Sequence, residues 1–264
     1  MYLTDFHTHS VLSFDGQAPL SQMAAAARAA GVRELCVTDH CDFLDEGGAP
    51  VRTYDWDRAV EQFEQTAGAL SDGELTLRLG LELGMPHLDP AAAQTICGRD
   101  GVDFILGSVH NLSPERGGGD FYYEDLTDPA VCYGVLDDYF ASLLALARTD
   151  YYDVLAHIIY PLRYMNPAVT LERYTDVIRA ILRAAVERGR GIELNTCRGQ
   201  TLEPWRPILA LYRACGGEIV TLGSDAHTPS DVGRGIPEAL ALLEQCSFRR
   251  FAVYQRHQPV FHTL

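Results

Sequence analysis

Lysine is absent from this chain: all 21 basic residues among its 264 are arginine. That absence excludes a Schiff-base lysine and the lysine-dependent Walker phosphate cradle. Positive charge is scarce in any form, because 36 acidic residues leave a formal net charge of −15. Binding a nucleic-acid backbone needs clustered cations, so no nucleic-acid partner is expected. The same sign repels anionic membranes, and no stretch reads as long and apolar enough to span one, so no membrane partner is expected either. The seven cysteines (Cys36, Cys41, Cys97, Cys132, Cys197, Cys215 and Cys246) are odd in number and include no C-x-x-C pair. The opening residues M-Y-L-T-D-F run straight into the first strand without the pattern of a signal peptide. The cysteines therefore read as reduced thiols of a cytoplasmic protein. Internal repeats and low-complexity tracts are also missing.

What is present is enough apolar sequence for a large core, at 47% hydrophobic and 22% charged residues. A length of 264 residues suits one α/β barrel of roughly 250 residues, so a single domain over 1–264 is expected. Short apolar runs mark strands at 2–6, 34–38, 76–83, 103–108, 153–156, 191–195 and 218–222. Between them, helical patterns cover 20–30, 56–70, 90–99, 129–149, 171–188, 204–215 and 237–245, several opening on proline or a carboxylate and stopping at Gly31, Gly189 or Gly216. Regular β-then-α alternation predicts a parallel sheet, since parallel neighbours need helical crossovers. Seven such units fit a barrel, with a doubly wound open sheet as the alternative. The tail from Phe248 reads as one or two short strands with a turn near Gln258 and Pro259. Two long loops, Cys41 to Asp55 and Asn111 to Asp128, suit substrate lids or binding walls.

Six of the nine histidines fall where predicted strands end: His7 and His9 in D-F-H-T-H-S, His40 in T-D-H, His110 in G-S-V-H, His157 in L-A-H and His227 in G-S-D-A-H. In a barrel those ends share one mouth, joined there by Asp225 and by Glu82 of G-L-E-L-G. A lone histidine at a strand end is ordinarily a hydrogen-bonded structural residue, and His87, His257 and His262 read that way. Five repeats of one pattern along one chain point instead to a multinuclear site for zinc, manganese or iron. In H-T-H the two imidazoles point to one face of an extended segment. Asp15, in S-F-D-G, is either a turn residue or a further ligand, and Asp39 is placed to orient ligands from behind. Cys36 reads as core and Cys41 as filler beside the site.

The ordered series H-T-H, T-D-H, G-L-E-L-G, G-S-V-H-N, A-H and G-S-D-A-H resembles the PHP family, named for polymerase-associated domains and histidinol phosphatases, over nearly the whole chain. That resemblance implies a distorted (β/α)7 barrel with two or three divalent metals (zinc, manganese or iron) at its C-terminal face. It implies His7, His9, Glu82 and Asp225 around a first metal, Glu82, His110 and His157 around a second, and Asp15, His40 and His227 around a third. Some members carry histidine at the position of Asp15. Glu82, Asp225 and His227 are the implied catalytic residues.

Clustered divalent metals suit hydrolysis of a phosphate ester by a metal-bridging hydroxide. Arginine supplies a planar fork for the phosphoryl oxygens, and Arg163 and Arg198 lie just past strand ends where histidinol-phosphate phosphatases hold phosphate. The expected activity is thus that of a phosphomonoesterase of the histidinol-phosphate type, with a small-molecule phosphate ester as partner. Other phosphoesters (a sugar phosphate, nucleotide, phosphotyrosine or nucleic-acid end) and a non-catalytic metal-binding domain are the alternatives. Phe121, Tyr122 and Tyr123 read equally as a cation-binding wall or as core.

Overall fold

The structure is a computed structural model and describes residues 2–51, 54–70, 73, 75–200 and 202–264. Residues 52 and 53 of the first long loop lie outside the described residues. Strands β1 (Leu3–Thr8), β2 (Val32–His40), β3 (Thr76–Gly84), β4 (Phe104–Ser108), β5 (Val154–Leu155), β6 (Gly191–Asn195) and β7 (Val220–Gly223) form one sheet in chain order. Every neighbouring pair is parallel. Helices α1 (Leu20–Ala29), α2 (Trp56–Ala69), α3 (Pro90–Cys97), α4 (Pro129–Ala147), α5 (Thr175–Glu187), α6 (Trp205–Ala214) and α7 (Ile236–Gln245) supply the crossovers.

The first and last strands of this sheet meet again. Thr8 bridges Ala226 in parallel. The Asp225 N–H donates to the His7 carbonyl at 2.9 Å, and the His9 N–H donates to the Ala226 carbonyl at 2.9 Å. Deeper in the seam, the buried Asp5 carboxylate accepts from the Ser224 amide at 2.9 Å, the Ser224 hydroxyl at 2.5 Å and the Gly233 amide at 2.8 Å. The result is the nearly closed seven-stranded barrel expected from the β-then-α pattern, and the open-sheet alternative fails on strand order.

The helix starts follow local chemistry. Asp55, Asp89 and Asp128 each accept a bond from a backbone N–H of the first turn, and Pro90 and Pro129 occupy first-turn positions that need no donor. α5 begins four residues later than its apolar pattern, because Glu172–Tyr174 forms a 3-10 turn whose Tyr174 hydroxyl is tied to Asp137. α4 corrects a second expectation: at 19 residues it is long and apolar enough to cross a membrane. Its Cys132, Val135, Leu136, Tyr139, Phe140, Leu143 and Leu146 are buried in the core. Its hydropathy thus reflects packing against the barrel.

The tail forms a hairpin, β8 (Arg250–Gln255) and β9 (Gln258–Thr263). Its turn lies at Arg256 and His257, both left-handed at φ 49° and 61°, rather than near Gln258 and Pro259. A two-residue turn of this kind matches strand twist, and Pro259 is tolerated in the ladder because its strand is at an edge. The hairpin docks beneath β4 and β5. His257 donates its amide to the Asp103 carbonyl at 2.9 Å, and its Nδ1 meets Asp153 Oδ2 at 2.8 Å. His262 stacks on Tyr2 at 4.2 Å and on Phe251 at 5.6 Å, while burial drops the His87 pKa to about 4. All three are structural, as expected.

The hydrogen bond to Asp153 raises the His257 pKa above its ordinary 6.5. A raised folded-state value means that the contact contributes fully below about pH 6.5 and is lost as pH rises through the folded value. Thermal melts between about pH 6 and about pH 9 are therefore expected to show the wild type losing an increment of stability that His257→Gln lacks throughout. Parallel curves for the two proteins would show that no charge acts there.

Candidate metal centre

The C-terminal mouth is organised around Glu82, the seventh residue of β3, whose side chain has no solvent exposure. Its Oε2 lies 3.1 Å from His7 Nε2, 3.5 Å from His9 Nε2 and 3.3 Å from His40 Nδ1. Its Oε1 lies 2.8 Å from His157 Nε2 and 3.1 Å from His110 Nε2. One carboxylate thus faces two sets of imidazoles, one with each oxygen. Burial pushes its pKa up, but His7, His110 and His40 together hold it well below the usual carboxylate range.

Asp225 stands opposite, in a left-handed conformation at φ 61° that turns its carboxylate inward while its amide closes the barrel seam. Its Oδ1 is 3.5 Å from both His7 Nε2 and His9 Nε2, and its Oδ2 takes a 2.7 Å bond from Arg163. Burial raises its pKa, and His7 and Arg163 overcome that to hold the group ionised. His40, His9 and His227 form a stack, with ring centroids 4.4 and 4.2 Å apart.

Among the described residues, five groups place their ligand atoms within 4.8 Å of one another: His7, His9 and Glu82; Glu82, His110 and His157; His7, His157 and Asp225; His9, His40 and His227; and His40, Asp42 and His110. Eight of the nine residues expected to ligate metal fall in these groups. Asp15 is in none, but its Oδ2 lies 2.9 Å from His227 Nε2 and its Oδ1 3.7 Å from His40 Nε2. Burial raises its pKa and those two histidines outweigh it, bringing the value to about 2.

The donor set fits a divalent cation. His9 Nε2 and His40 Nδ1 are buried without a hydrogen-bond partner, an arrangement that costs about 1–3 kcal/mol per group unless a cation takes the lone pair. Burial, with the neighbouring His227 and His40, holds the His9 pKa well below 6.5, so the ring is the neutral imidazole that a metal needs.

Several residues beside these were not singled out by sequence reasoning. Asp42 bridges His40 Nδ1 and His110 Nδ1, at 3.3 Å each, and was read only as loop. Glu193 of β6 meets His7 Nδ1 at 2.7 Å. A signal for it existed: G-I-E-L-N buries every residue of a strand around one carboxylate, just as G-L-E-L-G does. Ser13 holds His9 Nδ1 at 3.0 Å and is itself bonded to Asp39 at 2.8 Å, which puts the Asp39 carboxylate behind a candidate ligand. Gly84 leaves the room Asp42 occupies, since a Cβ there would sit 1.7 Å from its Oδ1.

Arg163 and Arg198 both line the cleft above the histidines, a cavity of about 1310 Å³. Arg163 is partly buried and spends its terminal nitrogens on Asp225 at 2.7 Å and Asn195 at 2.6 Å. Arg198, left-handed at φ 57° like the Cys197 before it, hangs by its amide from the Ser224 carbonyl at 2.9 Å, and a terminal guanidinium nitrogen lies 3.8 Å from Cys197 Sγ. Cys41 lines the wall but joins no ligand group, and Cys36 is buried core. The two long loops touch each other, Asn111 Nδ2 donating to the Asp45 carbonyl at 2.8 Å and the Asp120 amide to the Glu46 carbonyl at 3.1 Å. The aromatic run divides: Phe121 is core against Tyr139, whereas Tyr122 and Tyr123 stand exposed at the cleft rim.

The model of the PHP domain matches residues 5–197, from β1 through β6. The chain belongs to the PHP domain family. Its PHP relatives include a probable histidinol-phosphatase of Thermotoga maritima, 28% identical over 95% of both chains. A histidinol-phosphatase of Lactococcus lactis is 23% identical, over 95% of this chain and 93% of its own. The solved structure of histidinol phosphate phosphatase from Lactococcus lactis, in complex with zinc, L-histidinol and phosphate, superposes with a TM-score of 0.84 at 22% identity over 98% of both chains. The barrel seen here is therefore the fold of that PHP protein.

Replacing Glu82 removes a donor from two of the groups at once. Glu82→Gln is expected to lose metal on dialysis and to lower turnover by roughly 10³-fold, as forfeiting several kcal/mol of Lewis-acid stabilisation requires. Metal analysis and rate measurement on the same sample check both, and a fully metallated, active variant would remove Glu82 from the centre.

Proposed function

We propose that this PHP protein, acting as one domain over residues 1–264, is a metal-dependent phosphomonoesterase that hydrolyses L-histidinol phosphate to L-histidinol and phosphate, a step of histidine biosynthesis. The observation that carries the reading is the two-sided environment of Glu82, which provides adjacent seats for two cations sharing one carboxylate. The full-length similarity to histidinol-phosphatases supports the substrate. Zinc, manganese or iron would be held by His7, His9, Glu82 and Asp225, by Glu82, His110 and His157, and by Asp15, His40 and His227. Ions there would neutralise a phosphoryl group and acidify a water molecule for in-line attack.

The chain's own residues do the rest. Glu82 and Asp225 remain ionised at the floor of the cleft and so offer anionic oxygens as cation ligands. Arg163 pins Asp225 and Asn195, fixing one donor oxygen while presenting a positive edge to phosphate. Arg198, which lines the cleft, supplies the second fork for the non-bridging oxygens. His227, held between Asp15 and the Asp225 carbonyl at 3.0 Å, completes the catalytic set with Glu82 and Asp225. The organic half of the substrate carries a cationic amine, and Asp42, Asp45, Glu46 and Asp120 line the outer wall. Seven free cysteines, with no disulfide, accord with a cytoplasmic location.

Protein charged in turn with zinc, manganese and iron is expected to release phosphate from histidinol phosphate with kcat/KM roughly 10²-fold or more above that for sugar phosphates, nucleotides and phosphotyrosine. Equal or inverted preference would refute the substrate. The two arginines are expected to separate kinetically. Arg198→Ala should raise KM with less change in kcat, as for a group contacting phosphate alone. Arg163→Ala should cost roughly 3 kcal/mol of stability as well, because Asp225 loses its buried partner; identical effects on both parameters would place the two in one role.

A further inference from the structure

Glu193 is buried to 1% exposure on β6 and faces three hydrogen-bond donors with two oxygens. Its Oε1 takes His7 Nδ1 at 2.7 Å and Asn195 Nδ2 at 3.1 Å, and its Oε2 takes the backbone N–H of His157 at 2.9 Å. His7 points its other nitrogen, Nε2, at Glu82 and Asp225, while His157 points Nε2 at the opposite oxygen of Glu82. A single carboxylate therefore grips the ring of one candidate ligand and the main chain of another, on opposite sides of the shared Glu82.

We propose that Glu193 is the positioning residue of the metal centre, fixing the His7 tautomer and setting the spacing between the two cation seats through His157. The acceptor at Nδ1 keeps the proton there and leaves the Nε2 lone pair for metal, the usual arrangement of a ligating histidine backed by a carboxylate. Only a carboxylate meets the demand: all three neighbours are donors, and an amide would set its NH₂ against one of them. The neighbouring strand is built for the same purpose. A Cβ on Gly223 would lie 2.1 Å from Glu193 Oε1 and 2.5 Å from the His7 Cβ, so the strand runs bare of side chain where carboxylate and imidazole meet. The inference rests on His7 and His157 serving as ligands and is independent of which phosphate ester is hydrolysed.

The test is zinc affinity of the full chain, measured by competition with a chromogenic chelator on wild type, Glu193→Gln, His7→Ala and the double variant. Histidine ¹⁵N chemical shifts provide the tautomer readout. Glu193→Gln is expected to weaken zinc binding by about 10- to 100-fold, to lose the Nδ1–H signature of His7, and to cost less on the His7→Ala background, where only the contact to His157 remains. Unchanged affinity, or a loss fully additive with His7→Ala, would overturn the proposal. If Glu193→Gln fails to fold, Gly223→Ala, which keeps the carboxylate but displaces it, is measured in the same way. It is expected to weaken zinc with the same tautomer change, and a variant that binds zinc normally with the Nδ1–H signal lost would overturn the link. Because zinc binding is read without substrate, a failed substrate panel leaves this outcome distinct.

Discussion

A carboxylate without solvent contact at the centre of a barrel is unstable unless opposite charge surrounds it, because the unpaired ion would cost several kcal/mol. Glu82 is that carboxylate, and five imidazoles lie within 3.5 Å of its two oxygens. The histidines have the converse need, since rings stacked at 4.2 and 4.4 Å cannot all carry protons. The buried lone pair of His9 beside the ionised Glu82 and Asp225 forms an arrangement suited to a cation. The loops and arginines above act on a floor whose chemistry that arrangement has already determined.

Around the ligands lies a layer of orienting contacts, each from a different part of the chain. Ser13 and Asp39 hold His9, Asp42 joins His40 to His110, and Arg163 fixes Asp225. Two of the carboxylates reach their places only because the strand alongside carries glycine, Gly84 for Asp42 and Gly223 for Glu193. Where such a contact is a hydrogen bond, as at His9 and His110, it restricts the ring to one orientation, which lowers the reorganisation needed when a metal enters.

Much of the fold was legible because alternation of short apolar runs with helical patterns has few topological solutions, and all seven strands and seven helices lie near their sequence positions. Most of the donor set was legible too, since strand-end histidines have one shared destination in a barrel. The orienting layer was not. Asp42 sits in a loop whose path depends on contacts with Asn111 and Asp120, far along the chain. Glu193 lies inside an apolar strand where the sequence signal is burial of a charge, visible only when β6 is compared with β3. The hairpin turn at Arg256 and His257 lies just before the expected place because Pro259, read as a turn residue, is instead accommodated in an edge strand.

The barrel seam joins His7 and His9 to Asp225 and Ala226 by two backbone bonds, across the 217 residues of chain that lie between His7 and Asp225. Contacts of such long range form late, after nearer strands have paired. The ligand pair on β1 therefore emerges early in synthesis yet has no partner across the mouth until β7 exists. A chain made as far as β6 already carries Glu82, His110 and His157, whereas Asp225 and His227 come only with the end of β7. The group that includes Asp225 is thus completed only when the ring closes, after the residues of the group around Glu82, His110 and His157 are already in the chain.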